Sequence, residues 1–313
     1  MATQSKQRCP VVDPWLLSVA IIWGLNFVAY KMTLRHLTPL AIVGVRFGLM
    51  APILLLVAWW RRPEGFLRPR HWLPLIWAGM GVLAAQQISF IVAVNWSSAA
   101  EAALLISTAP IFTAIIATGM RQEQLTALNW VGIAIGFAGV AMVVLGSGQT
   151  QQVYPRRIAG DLTMLFSALM YGYFMVLARP MVREHGGLRA VAYCYFLGAL
   201  VIVPLAAPDL MKVTLSSIDL ATWAWLVGYI VVLAGVYGFV VWYTTIGRTT
   251  AARTAVYQYL VPVVAMVGAA VFLGERPGLW QILGAATTLA GVAIARWPSG
   301  EGEQACTAGG ATG

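Results

Sequence analysis

The sequence predicts an all-α integral membrane protein: ten transmembrane helices in two inverted-topology five-helix repeats, with both termini cytoplasmic. Three observations carry this reading. The 313 residues are 60% hydrophobic and only 10% charged, where a soluble domain carries about 25% charged residues. The apolar residues gather into ten stretches, each close to the roughly 20 residues that a spanning helix needs. The chain also repeats itself, so that Pro110 recurs as Pro262 and Glu123 as Glu275.

The composition excludes a disordered chain, a coiled coil and a soluble two-domain enzyme. The spans fall at roughly 14–31, 39–60, 72–93, 98–119, 127–146, 158–178, 190–207, 220–244, 252–273 and 279–297. The gaps between them leave no room for a soluble domain. The expected organisation is a cytoplasmic segment (1–13), a first repeat (14–146), a linker (147–157), a second repeat (158–297) and a disordered tail (298–313) rich in Gly, Ala and Ser. No cleavable signal pattern precedes the first apolar run. Trp15, Trp59, Trp60, Trp72, Trp96, Trp130, Trp223, Trp225, Trp280 and Trp297 lie near span ends, where amphipathic indoles favour the membrane interface. Trp23, Trp77 and Trp242 lie deeper and need another explanation.

The formal net charge is +9. On a soluble protein this would suggest nucleic acid; on a membrane chain it reports topology. With the N-terminus inside, thirteen Lys and Arg residues are cytoplasmic and six (Lys31, Arg35, Arg156, Arg157, Lys212, Arg276) are outside. The asymmetry places both termini in the cytoplasm, which in a bacterium means a multi-pass inner-membrane protein. No nucleic-acid partner is expected; the partners are a small-molecule substrate and membrane lipid, and the chain is compatible with a monomer or a dimer. Cys9, Cys194 and Cys306 are far apart and form no disulfide framework or CxxC motif. No metal or cofactor is expected, and no GxxxxGK[ST] loop offers ATP binding.

At the same offset Pro52 matches Pro204, Gly132 matches Gly284 and Gly139 matches Gly291. Ala99, Ala100 and Ala103 match Ala251, Ala252 and Ala255. The first span aligns four residues differently, pairing Gly24 with Gly172 and Lys31 with Arg179. Each repeat holds five spans, an odd number, so the second enters the membrane from the opposite side. Inverted repeats underlie many secondary transporters, because two similar halves can exchange conformations and open alternately to each side.

Two stretches carry a family resemblance. Residues 23–47, WGLNFVAYKMTLRHLTPLAIVGVRF, join Trp23-Gly24-x-Asn26-Phe27 to Pro39 and Arg46-Phe47. Residues 272–295, FLGERPGLWQILGAATTLAGVAIA, hold a Gly274-Glu275-Arg276 hairpin before a Gly-rich span, and residues 120–145 carry a degenerate copy. Together these resemble EamA-type members of the drug/metabolite transporter superfamily. The resemblance covers residues 14–297. It implies a ten-helix exporter of small metabolites, with a central cavity lined by spans one to four and six to nine and with spans five and ten as outer supports. It implies amino acids, aromatic or neutral, as the leading substrate class, with a nucleobase, drug or phosphorylated sugar as the alternative. The second repeat departs from the pattern: Gly198 stands at the place of Arg46 and Phe174 at the place of Asn26.

Polar groups inside a bilayer are costly unless they find partners or line water. Asn26 lies midway along the first span and suits either a substrate or a neighbouring helix. Arg46 lies about 10 Å inside the second span by helical rise; it suits a substrate carboxylate, or a structural role through snorkelling or capping. Gln86 and Phe90 share a helix face beside Gln87. Ser107 precedes Pro110, and Tyr257 and Gln258 precede Pro262; each proline frees the carbonyl four residues earlier, that of Ile106 or Gln258. Such breaks are tolerated where a cavity satisfies the freed group. Trp23, Phe90, Tyr171, Trp242 and Tyr257 are the candidates for an aromatic cage. The expected substrate-binding set is therefore Trp23, Asn26, Arg46, Gln86, Phe90, Ser107, Tyr171, Trp242, Tyr257 and Gln258, with Pro110 and Pro262 as hinges. Gly44 with Gly48, and Gly132 with Gly136, read as close helix packing.

No carboxylate lies at mid-membrane. Glu101 and Asp161 sit near outer span ends, and His36, His71 and His185 are placed in loops. Glu101 is the only candidate for proton coupling, so facilitated or exchange transport is the simpler expectation. An intramembrane enzyme would want a Ser, His or acid constellation that is missing. A channel would want a charged ring or filter, which is also missing.

Overall fold

The computed structural model describes residues 13–61, 72–122, 124–146, 155–213, 218–245 and 251–295, without the side chains of 251–256. The N-terminal segment (1–12), most of the linker, the C-terminal tail, His71 and Glu123 lie outside the described residues.

The described residues are helical throughout their regular structure. We number the spans α1 (Pro14–Thr33), α2 (Pro39–Arg61), α3 (Trp72–Trp96), α4 (Ala99–Gly119), α5 (Ala127–Gly146), α6 (Arg157–His185), α7 (Gly187–Met211), α8 (Leu220–Thr245), α9 (Ala251–Gly268, continued as Ala269–Leu273) and α10 (Leu279–Ala295). Eight are long and apolar enough to cross a membrane, and α9 and α10 are shorter apolar helices. Helix α6 runs seven residues past the expected end. It stops at Gly186, whose φ of +81° turns the chain directly into α7. His185 is thus the last residue of α6 and not a loop residue.

Local sequence explains the ends. Asp13 caps α1 by accepting the Trp15 N–H at 2.9 Å, with Pro14 at the first helical position. Ser98 and Glu101 form a capping box that starts α4. Asp219 caps α8 through the Thr222 N–H, and its hydrogen bonds to Thr222 hold the carboxyl below the usual carboxylate range. Trp15, Trp59, Trp60, Trp130 and Trp280 remain exposed on the bundle surface, as interfacial indoles should.

The packing shows the internal symmetry. A Cβ at Gly24 in α1 would lie 2.6 Å from Val264 Cβ and 2.8 Å from the Val261 carbonyl oxygen in α9. A Cβ at Gly172 in α6 would lie 3.0 Å from Phe112 Cβ and 3.1 Å from the Ala109 oxygen in α4. Gly24 and Gly172 are repeat mates, and so are Phe112 with Val264 and Ala109 with Val261. The α1–α9 and α4–α6 contacts are therefore the same contact made twice, once in each direction across the two repeats. Helices α5 and α10 cross antiparallel on their glycines: Gly132 abuts Ala295, Gly136 abuts Gly291 and Gly139 abuts Thr288. This pair stands at the side of the bundle, with backbones closer than any side chain would allow.

Two features go beyond the sequence pattern. Helix α3 widens to i→i+5 turns over Trp77–Leu83, and α8 does so over Ala224–Tyr237. These stretches overlap under the repeat offset, and such wide turns often mark functional sites. The proline spans differ between halves. Helix α4 breaks at Ser107–Thr108 and restarts at Ala109 just before Pro110, whereas α9 stays helical through Pro262.

Candidate functional site

A large cavity of about 1350 Å³ runs into the bundle. Its mouth lies at the end that carries the described chain termini: Arg121, Gln122 and Gln124 after α4, Arg179, Arg183 and Gly187 at the α6–α7 turn, and Ala295 at the end of α10. Its floor is built by Asn26, Tyr30, Arg46, Gln86, Gln87 and Phe90. Helices α5 and α10 contribute only Asn129 and Ala295 at the rim, joined by an Asn129 Nδ2 to Ala295 O hydrogen bond of 3.1 Å.

The floor is one hydrogen-bonded chain. Arg46 Nη1 donates to the Tyr30 hydroxyl at 2.6 Å and to Gln87 Oε1 at 2.9 Å. Gln87 Nε2 donates to Gln86 Oε1 at 2.7 Å, and Gln86 Nε2 donates to Ser167 Oγ at 3.1 Å. Arg46 is 7% exposed, so it does not snorkel outward: its guanidinium turns into the bundle, where its bonds to Tyr30 and Gln87 fit a structural role as well as a substrate-binding one. Asn26, one helical turn before Tyr30, places its amide against the Tyr30 hydroxyl. Two polar atoms at this floor are buried without a partner: Arg46 Nε, a donor, and Asn26 Oδ1, an acceptor. Such orphans are rare in folded chains and call for an explanation.

Aromatic rings form the walls. Phe90 stands between Phe27 and Tyr30, with ring centroids at 5.7 and 5.6 Å. Tyr195 stacks on Phe47 at 5.1 Å and meets Phe239 edge-on at 5.0 Å. Trp23 donates its Nε1–H to the Ala234 carbonyl at 3.0 Å, inside the wide-turn stretch of α8. Gly238 makes room for this, since a Cβ there would lie 2.6 Å from Trp23 Nε1.

The structure brings most of the sequence-predicted set together. Trp23, Asn26, Arg46, Gln86, Phe90, Ser107, Pro110, Tyr171 and Gln258 all line the cavity. Ser107 turns its hydroxyl back to the Ala103 carbonyl at 2.7 Å. Trp242 and Tyr257 stand apart from the lining. Trp242 is buried behind Trp23, its ring centroid 5.1 Å away, in a cluster with Leu16 and Val19. The Tyr257 hydroxyl accepts the Asp13 N–H at 2.7 Å and ties α9 to the start of α1. Of the deep tryptophans, Trp77 faces outward, half exposed, with its Nε1 3.4 Å from the Tyr173 hydroxyl. Tyr30, Gln87, Tyr195, Phe239 and Tyr243 line the cavity without having been singled out as binding residues. Gln87 was visible beside Gln86, whereas the tyrosines have no sequence signal that separates them from packing. The cavity also holds more positive charge than the span pattern implies, because Arg121, Arg179 and Arg183 surround its mouth.

The chain matches the EamA-like transporter family over residues 11–145 and 158–297. It belongs to this family. An uncharacterized transporter of Archaeoglobus fulgidus is 29% identical over 87% of this chain and 92% of its own. A probable amino-acid metabolite efflux pump of Escherichia coli is 30% identical, over 89% of this chain and 92% of its own. One solved crystal structure, 18% identical, matches 90% of this chain and 96% of its own with a TM-score of 0.63, a likeness of fold. This EamA-like protein is therefore a multi-pass membrane transporter, and its chemistry is binding and passage rather than catalysis.

Proposed function

We propose that this chain exports small amino acids, neutral and aromatic ones first, by alternating access, and that its cavity stands open here to the cytoplasm. The observation that carries the reading is the pair of unsatisfied groups at the cavity floor. Arg46 Nε lacks an acceptor and Asn26 Oδ1 lacks a donor, and both flank the Tyr30 hydroxyl. A zwitterion supplies both complements, its carboxylate to the guanidinium and its ammonium to the amide oxygen. Each unmet buried group costs about 1–3 kcal/mol, which bound substrate would recover. The rings of Phe27, Phe90 and Trp23 beside this pair suit an apolar or aromatic side chain. The Escherichia coli relative, a probable amino-acid metabolite efflux pump, supports the same class. The cytoplasmic opening rests on the excess of Lys and Arg at the mouth end.

A second reading has its own observation. Arg121, Arg179 and Arg183 at the mouth favour anions, as a phosphorylated sugar would be. One assay separates the two. In proteoliposomes preloaded with unlabelled solute, amino acids should drive saturable counterflow and sugar phosphates should not. Arg46→Ala and Asn26→Ala should each raise KM, and Trp23→Ala should do so most for aromatic substrates. Normal counterflow in both Arg46→Ala and Asn26→Ala overturns the site, and conductance in a planar bilayer would make the protein a channel instead.

A further inference from the structure

The end of the bundle opposite the mouth is sealed by a polar cluster that substrate binding does not use. Lys31 from α1, Ser97 from the α3–α4 turn, Glu101 from α4, Asp161 from α6, Glu275 from the α9–α10 hairpin and Gln281 from α10 meet there. Lys31 Nζ donates to the Ser97 carbonyl and lies within coulombic reach of Glu275 and Glu101. Glu275 accepts the Ala99 and Ala100 N–H groups at 3.0 and 3.2 Å. Its carboxylate thus sits on the N-terminus of α4, where the helix dipole favours a negative charge.

Ser97 offers one hydrogen to two carboxyl groups. Its Oγ lies 2.6 Å from Asp161 Oδ1 and 3.0 Å from Glu101 Oε2. A serine hydroxyl carries one hydrogen and can donate to only one of them. If both carboxyls were ionised, the other contact would set two lone pairs against each other in a buried place. One carboxyl must therefore donate to Ser97. Glu101 already accepts from Gln281 Nε2 at 2.7 Å and from the Ser98 N–H at 3.4 Å. Asp161 is fully buried, and its Oδ2 has no partner at all. Asp161 is the carboxyl placed to carry that proton: an O–H on it can donate to Ser97 Oγ while the Ser97 O–H donates to Glu101 Oε2.

The charges around this triad agree. Glu101 faces Asp161 from α4 and repels a second negative charge. Arg157, on the first turn of α6, is the cation within coulombic reach of Asp161, and it directs Nη2 to the Val144 carbonyl at 3.5 Å. Arg156 stacks over the Trp96 ring at 5.5 Å. From α10 the facing group is the neutral Gln281.

We propose that Ser97, Asp161 and Glu101 form a proton-binding site, and that this end of the pathway closes only when the site holds one proton. Opening parts α6 from the α3–α4 turn, exposes Asp161 to water and returns its proton to the medium on that side. Closing takes one proton up onto the Asp161 carboxylate and makes the two hydrogen bonds through Ser97. The closed state therefore binds one proton more than the open state. Acid favours closure, and closure weakens as pH rises. This holds whatever solute the cavity takes, because its readout is conformation and not transport.

The test places a thiol in the seal. Ala100→Cys, with Cys9, Cys194 and Cys306 changed to Ala, is labelled in nanodiscs by a membrane-impermeant maleimide over pH about 5 to 9. The same is done with Asp161→Asn added, where an amide N–H replaces the acid O–H toward Ser97 at every pH. The ratio of the two labelling rates cancels the thiol's own pH dependence. It should rise with pH by up to about tenfold per unit; a flat ratio overturns the proposal. Infrared spectroscopy of the unlabelled protein gives the second readout. The C=O band of an un-ionised carboxylic acid should vanish with Asp161→Asn and survive Glu101→Gln, and the opposite pattern overturns the assignment.

Discussion

Arg46 Nη1 lies 2.6 Å from the Tyr30 hydroxyl and 2.9 Å from Gln87 Oε1, so three helices hold one guanidinium in place. This bond orients the guanidinium of Arg46, a residue of the cavity lining whose Nε is buried without a partner. Tyr30→Phe removes one charge-assisted contact, a loss of about 1.5–3 kcal/mol in positioning. The expected outcome is a rise in counterflow KM of about tenfold or more, together with a lower Tm, because the lost bond is buried. Arg46→Lys should be worse, because an ammonium cannot reproduce the fork that reaches Tyr30 and Gln87 together. A Tyr30→Phe transporter with unchanged KM for every amino acid would separate this contact from binding.

Trp23 and Trp242 make different predictions although their rings are 5.1 Å apart. Trp23 lines the cavity and Trp242 stands behind it. Trp23→Phe keeps a ring but loses the hydrogen bond to the Ala234 carbonyl, and it should change the order of preference among aromatic substrates. Trp242→Phe should preserve that order and lower thermal stability by about 1–3 kcal/mol through the void it leaves. Equal shifts of preference in both variants would place Trp242 in contact with substrate.

The contrast between these tryptophans shows what the sequence could reveal. Apolar run length and repeat spacing are intrinsic to the chain, so the ten spans and the Gly24–Gly172 and Gly132–Gly284 correspondences are legible in the sequence. The polar floor was legible in part, because Asn26, Arg46 and Gln86 are conspicuous in apolar surroundings. Depth along a helix can be read from sequence, but the facing direction of a ring in a helix apolar on all sides cannot. Trp242 and Tyr257 were therefore expected at the cavity, whereas Tyr30, Tyr195 and Phe239 were not distinguished. The link through Ser97 between Asp161 and Glu101 was hidden for another reason. It joins residues 64 and 4 positions from Ser97, and no local pattern encodes the longer of these distances.

The α5–α10 crossing should be the least tolerant surface in the bundle. A Cβ at Gly291 would lie 2.2 Å from the Gly136 backbone nitrogen, and one at Gly132 would lie 2.2 Å from the Ala295 nitrogen. Neither neighbour is a flexible side-chain tip, so the helices must separate. Gly291→Ala and Gly132→Ala should each cost about 1–3 kcal/mol, read as earlier unfolding in a detergent denaturation series. Gly119→Ala is the control, since nothing lies within 4 Å of a Cβ there. Equal stability of all three variants would show that the two helices slide freely past each other.

Arg121, Arg179 and Arg183 at the mouth should act on the approach of solute and not on its final seat. These groups lie at the water end of the cavity, so their field is screened by salt over about 8–10 Å. Arg183→Gln, with Arg121→Gln added, should slow uptake of an anionic substrate such as glutamate at low ionic strength. The same pair should leave a zwitterion such as leucine nearly unaffected. Raising the salt should erase the difference between variant and parent, because steering is a rate effect that ions screen. A deficit that persists at high salt, or that falls equally on leucine, would mean that these arginines hold the substrate itself. The anion-binding site would then extend from the floor at Arg46 to the mouth, and the phosphorylated-solute reading would gain over the amino-acid one.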